Sequence, residues 1–201
     1  QRFSVSSSSI SNKGNVKVGN ITALNYSNSY DITTSQTNNF DAYDRDRDAS
    51  IYKYRLTDQR YSNTVKLSLL HNWSFLTKTG TKLEFCNLFS QIASNRTVLR
   101  EGQEMYIESD IKQMEYKYQN RLNYITQLKG EHKFDKDESA KIDWVGGYAF
   151  SDKSDPDLRR FKTNRTIGTD NPFQTTITPQ GESGYISRSY FKLNEHIGTL
   201  T

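Results

Sequence analysis

Hydrophobic and polar residues alternate with a period of two along several stretches of the chain. The clearest is residues 116–134, YKYQNRLNYITQLKGEHKF, where most of the alternate positions from Tyr116 to Phe134 are aromatic or aliphatic. The positions between them are almost all polar or charged. Since successive side chains of a strand point to opposite faces of a sheet, this stretch predicts a long strand with one apolar face and one polar face.

The same alternation predicts about six strands in the whole chain. They are residues 15–33, 63–76, 81–93, 116–134, 141–151 and 185–198. The segment TKTG, which ends in Gly80, predicts a tight hairpin between the second and third strands, and DKDESA predicts a short turn between the fourth and fifth. The pattern therefore indicates an all-β fold with antiparallel, up-and-down strands.

The other connections are long and rich in Asn, Asp, Ser, Thr and Arg. We expect long loops near residues 34–62, 94–115 and 152–184. The best helix candidate, residues 99–115, lies in the second of them and is interrupted by Gly102. A compact soluble domain rarely contains several loops longer than about 12–15 residues. Short turns at one end and long loops at the other are typical of outer-membrane β-barrels.

Strand length also favours a membrane barrel. At about 3.3 Å per residue and a tilt near 40°, Tyr124 to Phe134 would rise roughly 25 Å, the height of the apolar band of such barrels. Tyr116–Asn120 would then stand outside the bilayer. Six strands cannot close, because bacterial single-chain barrels have at least about 8, and an open sheet edge cannot face lipid. We therefore expect a segment of a larger transmembrane barrel.

A soluble fold is the alternative. The chain would then be a soluble or surface-attached β-rich module that binds a ligand, such as a glycan, through exposed Tyr and Trp. A sandwich of this kind should have short strands and a strongly apolar inner face. The apolar side of residues 116–134 instead includes Thr126, Gly130 and His132, which would make a thin core.

Composition narrows the class of protein. The 201 residues fit one domain and are only 33% hydrophobic, yet the 12% aromatic content argues against disorder. The net charge of +4 comes without a basic run, so we expect no nucleic-acid partner. Cys86 is the single cysteine, and the three histidines lie far apart in the sequence, so we expect neither a disulfide nor a zinc site.

Known catalytic motifs do not occur in the chain. There is no GxSxG, no glycine-rich phosphate loop and no Cys/His pair, so we expect no enzyme, no catalytic residue and no cofactor. Asp44, Asp46 and Asp48 have the spacing of the first ligands of a calcium loop. Ala49 and Arg55 stand where that loop needs glycine and glutamate. We therefore expect a solvated loop and no metal site.

The polar positions of residues 116–134 are the candidate site. In a barrel they would face the interior, and the lumen-facing candidates are Lys117, Arg121, Lys129 and Lys133. They could contact an interior domain or an anionic substrate. Cross-strand pairing with carboxylates explains the same residues without a ligand.

Several motifs occur in an order that resembles a known family. They are KLSLLHNWSF, KLEFCNLFSQIASNRTVLREG, YKYQNRLNYITQLKGEHKF and KIDWVGGYAFSDKSDPDLRRF, followed by GTDNPFQ and FKLNEH. Together they cover roughly residues 15–198, and they resemble the β-barrel region of TonB-dependent outer-membrane receptors of Bacteroidota.

The resemblance implies a barrel of commonly about 22 strands, filled by an N-terminal plug, that takes up a scarce nutrient with energy passed through TonB. Residues 1–201 contain no recognisable plug, so TonB would be contacted only through a plug outside this chain. The implied partners are outer-membrane lipid, the rest of the barrel, the plug and a surface lipoprotein. The implied location is the outer membrane of a Gram-negative, Bacteroidota-like cell.

Overall fold

Seven β-strands form one antiparallel sheet in which every strand pairs with the next one in the sequence. The computed structural model describes residues 1–134, 140–175 and 186–201. The strands are β1 (Arg2–Lys13), β2 (Val16–Asp44), β3 (Ala49–Thr77), β4 (Lys82–Glu104), β5 (Ser109–Lys133), β6 (Lys141–Thr166) and β7 (Ile186–Leu200). A short 3₁₀ turn, Met105–Ile107, joins β4 to β5. The predicted all-β, up-and-down antiparallel fold is confirmed.

The prediction of about six strands is corrected to seven, because β1 was missed. Its sequence RFSVSSSSISNK is dominated by serine, so it has little contrast between apolar and polar positions. The strand is held by its backbone pairing with β2, from Arg2 opposite Ser27 to Lys13 opposite Val16. Backbone hydrogen bonding does not depend on side-chain type, and alternation cannot detect it.

Strands also replace most of the predicted long loops. The loop expected at 34–62 is the far half of β2 and β3, each 29 residues long, with a turn only at 45–48. The loop and the helix candidate within 94–115 are the ends of β4 and β5. In the region 152–184, β6 continues to Thr166, and residues 176–184 lie outside the described part. These strand ends are mostly polar, with apolar residues such as Leu56 and Ile111 only at intervals, so hydrophobic alternation gives a weak signal there.

The connections divide the sheet into two ends. At the end that we call the turn end, β1 joins β2 through Gly14 and Asn15, and β3 joins β4 through residues 78–81. Gly80 has a φ of 85°, which favours glycine, as the predicted hairpin requires. The predicted DKDESA turn falls mainly on residues 135–139, outside the described residues. At the opposite, distal end, the turn at 45–48 and the 3₁₀ turn close the hairpins.

The register defines two faces. Directly opposed residues share a face, so the pairs Trp73–Phe85 and Phe85–Leu128 mark what we call the aromatic face. One row of this face crosses all strands as Val5, Leu24, Leu69, Phe89, Tyr124, Phe150 and His196. The other face, which we call the charged face, contains Glu84 opposite Lys129.

The sheet has almost no enclosed core. Among the described residues, only Leu56 and Ile111 are buried apolar side chains, at 7% and 2% exposure. The chain exposes 14247 Å². A compact protein of the same 23.3 kDa would expose roughly 9,700 Å². The excess is the surface of both faces of an uncovered sheet. In the described segments, no helix is long and apolar enough to cross a membrane.

Candidate functional site

The four candidate residues lie on the charged face of β5. They occupy odd-numbered positions of β5, which lie on the same face as Glu84 of β4. These positions are Lys117, Arg121, Lys129 and Lys133. From the first to the last of them the strand rises roughly 50 Å. The structure therefore places them on one face, as the alternation predicted, but it does not bring them together into one site.

Carboxylates accompany three of these cations. The Nζ atom of Lys117 lies 3.1 Å from Asp155, and that of Lys133 lies 3.7 Å from Glu131. Lys129 is directly opposite Glu84, whose carboxylate lies 2.7 Å from the amino group of Lys82. Carboxylates of the chain thus lie beside three of the four cations, whereas Arg121 is directly opposite another cation, Lys153.

A β-bulge positions Asp155. Tyr118 pairs with Asp157 and Asn120 pairs with Ser154, so Gln119 faces two residues of β6, Asp155 and Pro156. Proline has no N–H for the ladder and is tolerated at bulges. The Asp155 side chain accepts a hydrogen bond of 2.8 Å from Gln119 as well as the Lys117 ion pair. Its two oxygens are therefore already engaged by β5.

Nearer the distal end, ion pairs tie neighbouring strands together across the charged face. Arg100 of β4 donates two hydrogen bonds, of 2.7 and 2.8 Å, to the carboxylate of Asp58 on β3. Glu115 of β5 accepts one from Arg96 at 2.8 Å and one from Arg160 at 2.9 Å. Glu115 lies nine residues before Tyr124, where the predicted membrane-crossing part of β5 begins.

The ion pairs shift the ionisation of these carboxylates. The hydrogen bond from Arg100 lowers the pKa of Asp58 below its ordinary value. Burial raises the pKa of Glu115, but hydrogen bonds from Arg160 and Arg96 outweigh burial and leave the pKa lowered. On the distal part of the aromatic face, Arg159 and Arg188 lower the pKa of Asp157 to about 2.

We expect the fold to lose stability in acid. A carboxyl group with a lower pKa in the folded state stabilises the fold above its unfolded pKa, and this contribution is lost as the pH falls through the folded pKa. The chain should therefore be most stable above about pH 5 and weaken progressively toward pH 2. Circular dichroism can measure the denaturant midpoint across this range. Asp58→Asn should flatten the decline, and a midpoint that rises on acidification would contradict the assignment.

Three histidines on the aromatic face form hydrogen bonds that the sequence did not predict. Trp73 Nε1 donates to His71 Nε2 at 2.8 Å, and Trp144 Nε1 donates to His132 Nε2 at 3.2 Å. His196 Nδ1 shares a 2.8 Å hydrogen bond with the hydroxyl of Tyr148. The sequence signal for them is that they alternate in phase with the apolar positions of their strands. The Nδ1 atoms of His71 and His132 also have threonine hydroxyl partners, so both of their ring nitrogens are hydrogen-bonded, which suits an apolar surrounding.

Two further features of the described residues are a depression in the sheet and an aspartate-rich turn. A shallow depression of about 630 Å³ lies between β1 and β4, where small residues such as Gly19, Ser74 and Cys86 leave space. At the turn 45–48, Asp44 accepts hydrogen bonds from the backbone N–H groups of Asp46 and Arg47. Within residues 1–134, 140–175 and 186–201, no group of three or more His, Cys, Asp or Glu side chains is placed to hold a metal ion.

Comparisons with protein-family models, with curated proteins and with solved structures find no match. The observations that bear on function are therefore those of the sheet itself, which has one aromatic face, one charged face and two open edges.

Proposed function

We propose that the chain forms part of the wall, the interior surface and the extracellular loops of a TonB-dependent nutrient transporter in the outer membrane of a Gram-negative, Bacteroidota-like cell. The aromatic face would contact lipid, and the charged face would face the water-filled or plug-filled interior. The distal hairpins would project outside the cell, where a surface lipoprotein could cover them. TonB would act only through a plug outside this chain.

The observation that carries the proposal is the uncovered aromatic face. Trp73, Phe75, Phe85, Leu128 and Trp144 lie on this face near the turn end. A band of tyrosines lies further toward the distal end on the same face: Tyr26, Tyr30, Tyr61, Tyr116 and Tyr118. Soluble monomers rarely expose an apolar surface this continuous. An apolar, aromatic-rich face on one side of each strand and a charged face on the other are the arrangement of a barrel wall in a bilayer.

The sheet edges support a larger assembly. β1 and β7 are the two outer strands of the sheet, and both are exposed along their described length. Apolar side chains are exposed on both edge strands, Phe3 and Val5 on β1 and Phe191 on β7. Unpaired edges of this kind tend to pair with another strand. In the proposed barrel, further strands pair with both edges and remove them.

Tryptophan fluorescence in lipid vesicles tests the proposal. The chain has 2 tryptophans, and Trp73 and Trp144 both lie on the aromatic face. After reconstitution, phospholipids brominated on their acyl chains should quench most of the emission, and aqueous iodide should quench little. A chain that is monodisperse without detergent, and whose emission is unchanged by brominated vesicles, would overturn the proposal.

That second result would favour the alternative, a soluble or surface-attached binding module. A depression of about 240 Å³ on the distal part of the sheet is lined by Tyr30, Tyr61, Asn63 and Asn95, among others. Tyrosine rings beside asparagine amides could stack on and hydrogen-bond a sugar. Oligosaccharide binding that is lost in Tyr61→Ala would then support the module.

A further inference from the structure

Opposed cations on neighbouring strands recur in this sheet, and such pairs are unfavourable unless an anion neutralises them. Lys133 is directly opposite Lys141, and Glu131 lies 3.7 and 3.9 Å from their amino groups. Arg159 is directly opposite Arg188. Asp157 accepts a 2.7 Å hydrogen bond from the Nε atom of each.

A third opposed pair, Arg96 and Lys117, is also accompanied by carboxylates. Arg96 contacts Glu115 at 2.8 Å, and Lys117 contacts Asp155 at 3.1 Å. Each of these opposed pairs is therefore supplied with a carboxylate by the chain itself.

Arg121 and Lys153 are an opposed cation pair without such a carboxylate. They are directly opposite each other on the charged face of β5 and β6, near the middle of both strands. Their outer neighbours in the same row are Ile92 and Leu193. Over the residues that the structure describes, neither forms an ion pair, and Lys153 Nζ lies 5.1 Å from the ring centre of Phe191.

The carboxylates around this pair form no ion pair with it in the described part of the chain. Asp155, two positions along β6 from Lys153, is attracted by the charge of Lys153, but its two oxygens are held by Gln119 and Lys117. Glu195 of β7 is opposite Ser151 and makes no ion pair with either cation in the same part of the chain. The pair therefore keeps two positive charges side by side with no carboxylate in ion-pair contact with either.

The groups beside the pair are hydrogen-bond donors. Ser151 donates its hydroxyl to the Asn123 side-chain oxygen at 2.9 Å. The oxygen of Asn123 is thus occupied, while its NH₂ group can donate to a ligand. Arg121 is exposed and Lys153 is half-buried. A guanidinium, an ammonium and an amide N–H₂ on one surface match the acceptor oxygens of an oxyanion.

We propose that Arg121 and Lys153 form an oxyanion-binding site on the charged face, which takes a phosphate or carboxylate group of a small-molecule ligand. The ligand supplies the anion that the chain provides at every other opposed cation pair described above. The inference rests on the proposed function in one respect: it assigns a ligand group to the face that would line the interior.

Calorimetric titration of the intact protein in detergent micelles tests the site, with inorganic phosphate and succinate as probes and with ionic strength held constant by sodium chloride. We expect saturable binding of at least one probe, and the tighter probe identifies phosphate or carboxylate as the preferred group. Arg121→Gln and Lys153→Gln should each weaken binding about tenfold, because each removes a charge-assisted hydrogen bond.

Arg160→Gln is the matched control. Arg160 is on the charged face of β6, as Lys153 is, but it donates a 2.9 Å hydrogen bond to Glu115, so its substitution should leave the affinity unchanged. A loss equal to that of Arg121→Gln would show general attraction to a basic surface and overturn the site. The absence of binding of both probes to the unmodified protein would overturn it too.

Arg121→Glu gives a second signature. It replaces two opposed cations with an opposed Glu–Lys pair, so the variant should unfold at a higher temperature than the unmodified protein while it loses phosphate binding. A purely structural role for Arg121 would lower the melting temperature instead. These titrations do not depend on a bilayer. The proposed function can therefore fail the lipid-quenching test while this site survives, and the reverse also holds.

Discussion

Gly102→Ala should lower the free energy of unfolding by about 3 kcal/mol or more. Gly102 has a φ of 155°, a conformation that residues with a side chain rarely adopt. A Cβ atom added there would lie 2.1 Å from the carbonyl oxygen of Arg55 and 2.9 Å from the Cα of Leu56. Both are backbone atoms of β3, so relief of the clash would require the two strands to separate locally.

The effect should be large because of what surrounds this glycine. Gly102 lies between Leu56 on β3 and Ile111 on β5, the only buried apolar side chains in the described part of the chain. Displacement of β4 would expose both. The denaturant midpoint measured by far-ultraviolet circular dichroism reports the loss.

Gly146→Ala is the control for Gly102→Ala. A Cβ atom at Gly146 would meet nothing within 4 Å, so the substitution should change stability by no more than about 0.5 kcal/mol. If the two alanine variants were equally stable, the close approach of β3 and β4 at Gly102 would not exist in solution.

Leu128→Arg should destabilise the reconstituted protein by about 2–4 kcal/mol, the cost of an arginine near the middle of the lipid-facing side of a barrel. Leu128 lies on the aromatic face opposite Phe85 and Gly146 and is 43% exposed. Its position within Tyr124–Phe134 places it in the part of β5 that we expect to cross the bilayer. Unfolding by urea in lipid vesicles, followed by tryptophan fluorescence, measures the change.

Ile125→Arg is matched to Leu128→Arg in strand, side-chain size and exposure, but it points to the charged face. Ile125 is 40% exposed and opposite Leu88 and Ala149. An arginine there would face the interior and should cost less than about 1 kcal/mol. Equal, small effects of both arginines would show that neither face meets lipid, and would contradict the proposed function.

Sequence alone predicts the parts of this fold in which side chains differ between the two faces. In residues 116–134, one phase is aromatic and the other charged, and β5 has the predicted faces. Where most residues of both faces are polar, as in residues 34–62, side-chain type distinguishes the two faces poorly, and β2 and β3 continue undetected. β1 was missed for the same reason, because its run of serines gives no contrast between the two faces of the strand.

The candidate site shows the same limit at the level of single residues. Alternation places Arg121 on the polar face of the strand together with Lys117, Lys129 and Lys133. It cannot say which residue lies opposite each of them, because register depends on hairpin geometry and on the bulge at Asp155. Only the register reveals that Lys129 is opposite a glutamate and that Arg121 is opposite a lysine.

The order of the strands has a consequence for how the chain can fold. Each of the seven strands pairs with its immediate neighbours in the sequence, so each interface first closes over a single connection. Contacts between neighbours in the sequence form quickly, because the entropy lost on closing a short loop is small. Each completed hairpin then presents the edge that the next strand needs, so the sheet can grow strand by strand.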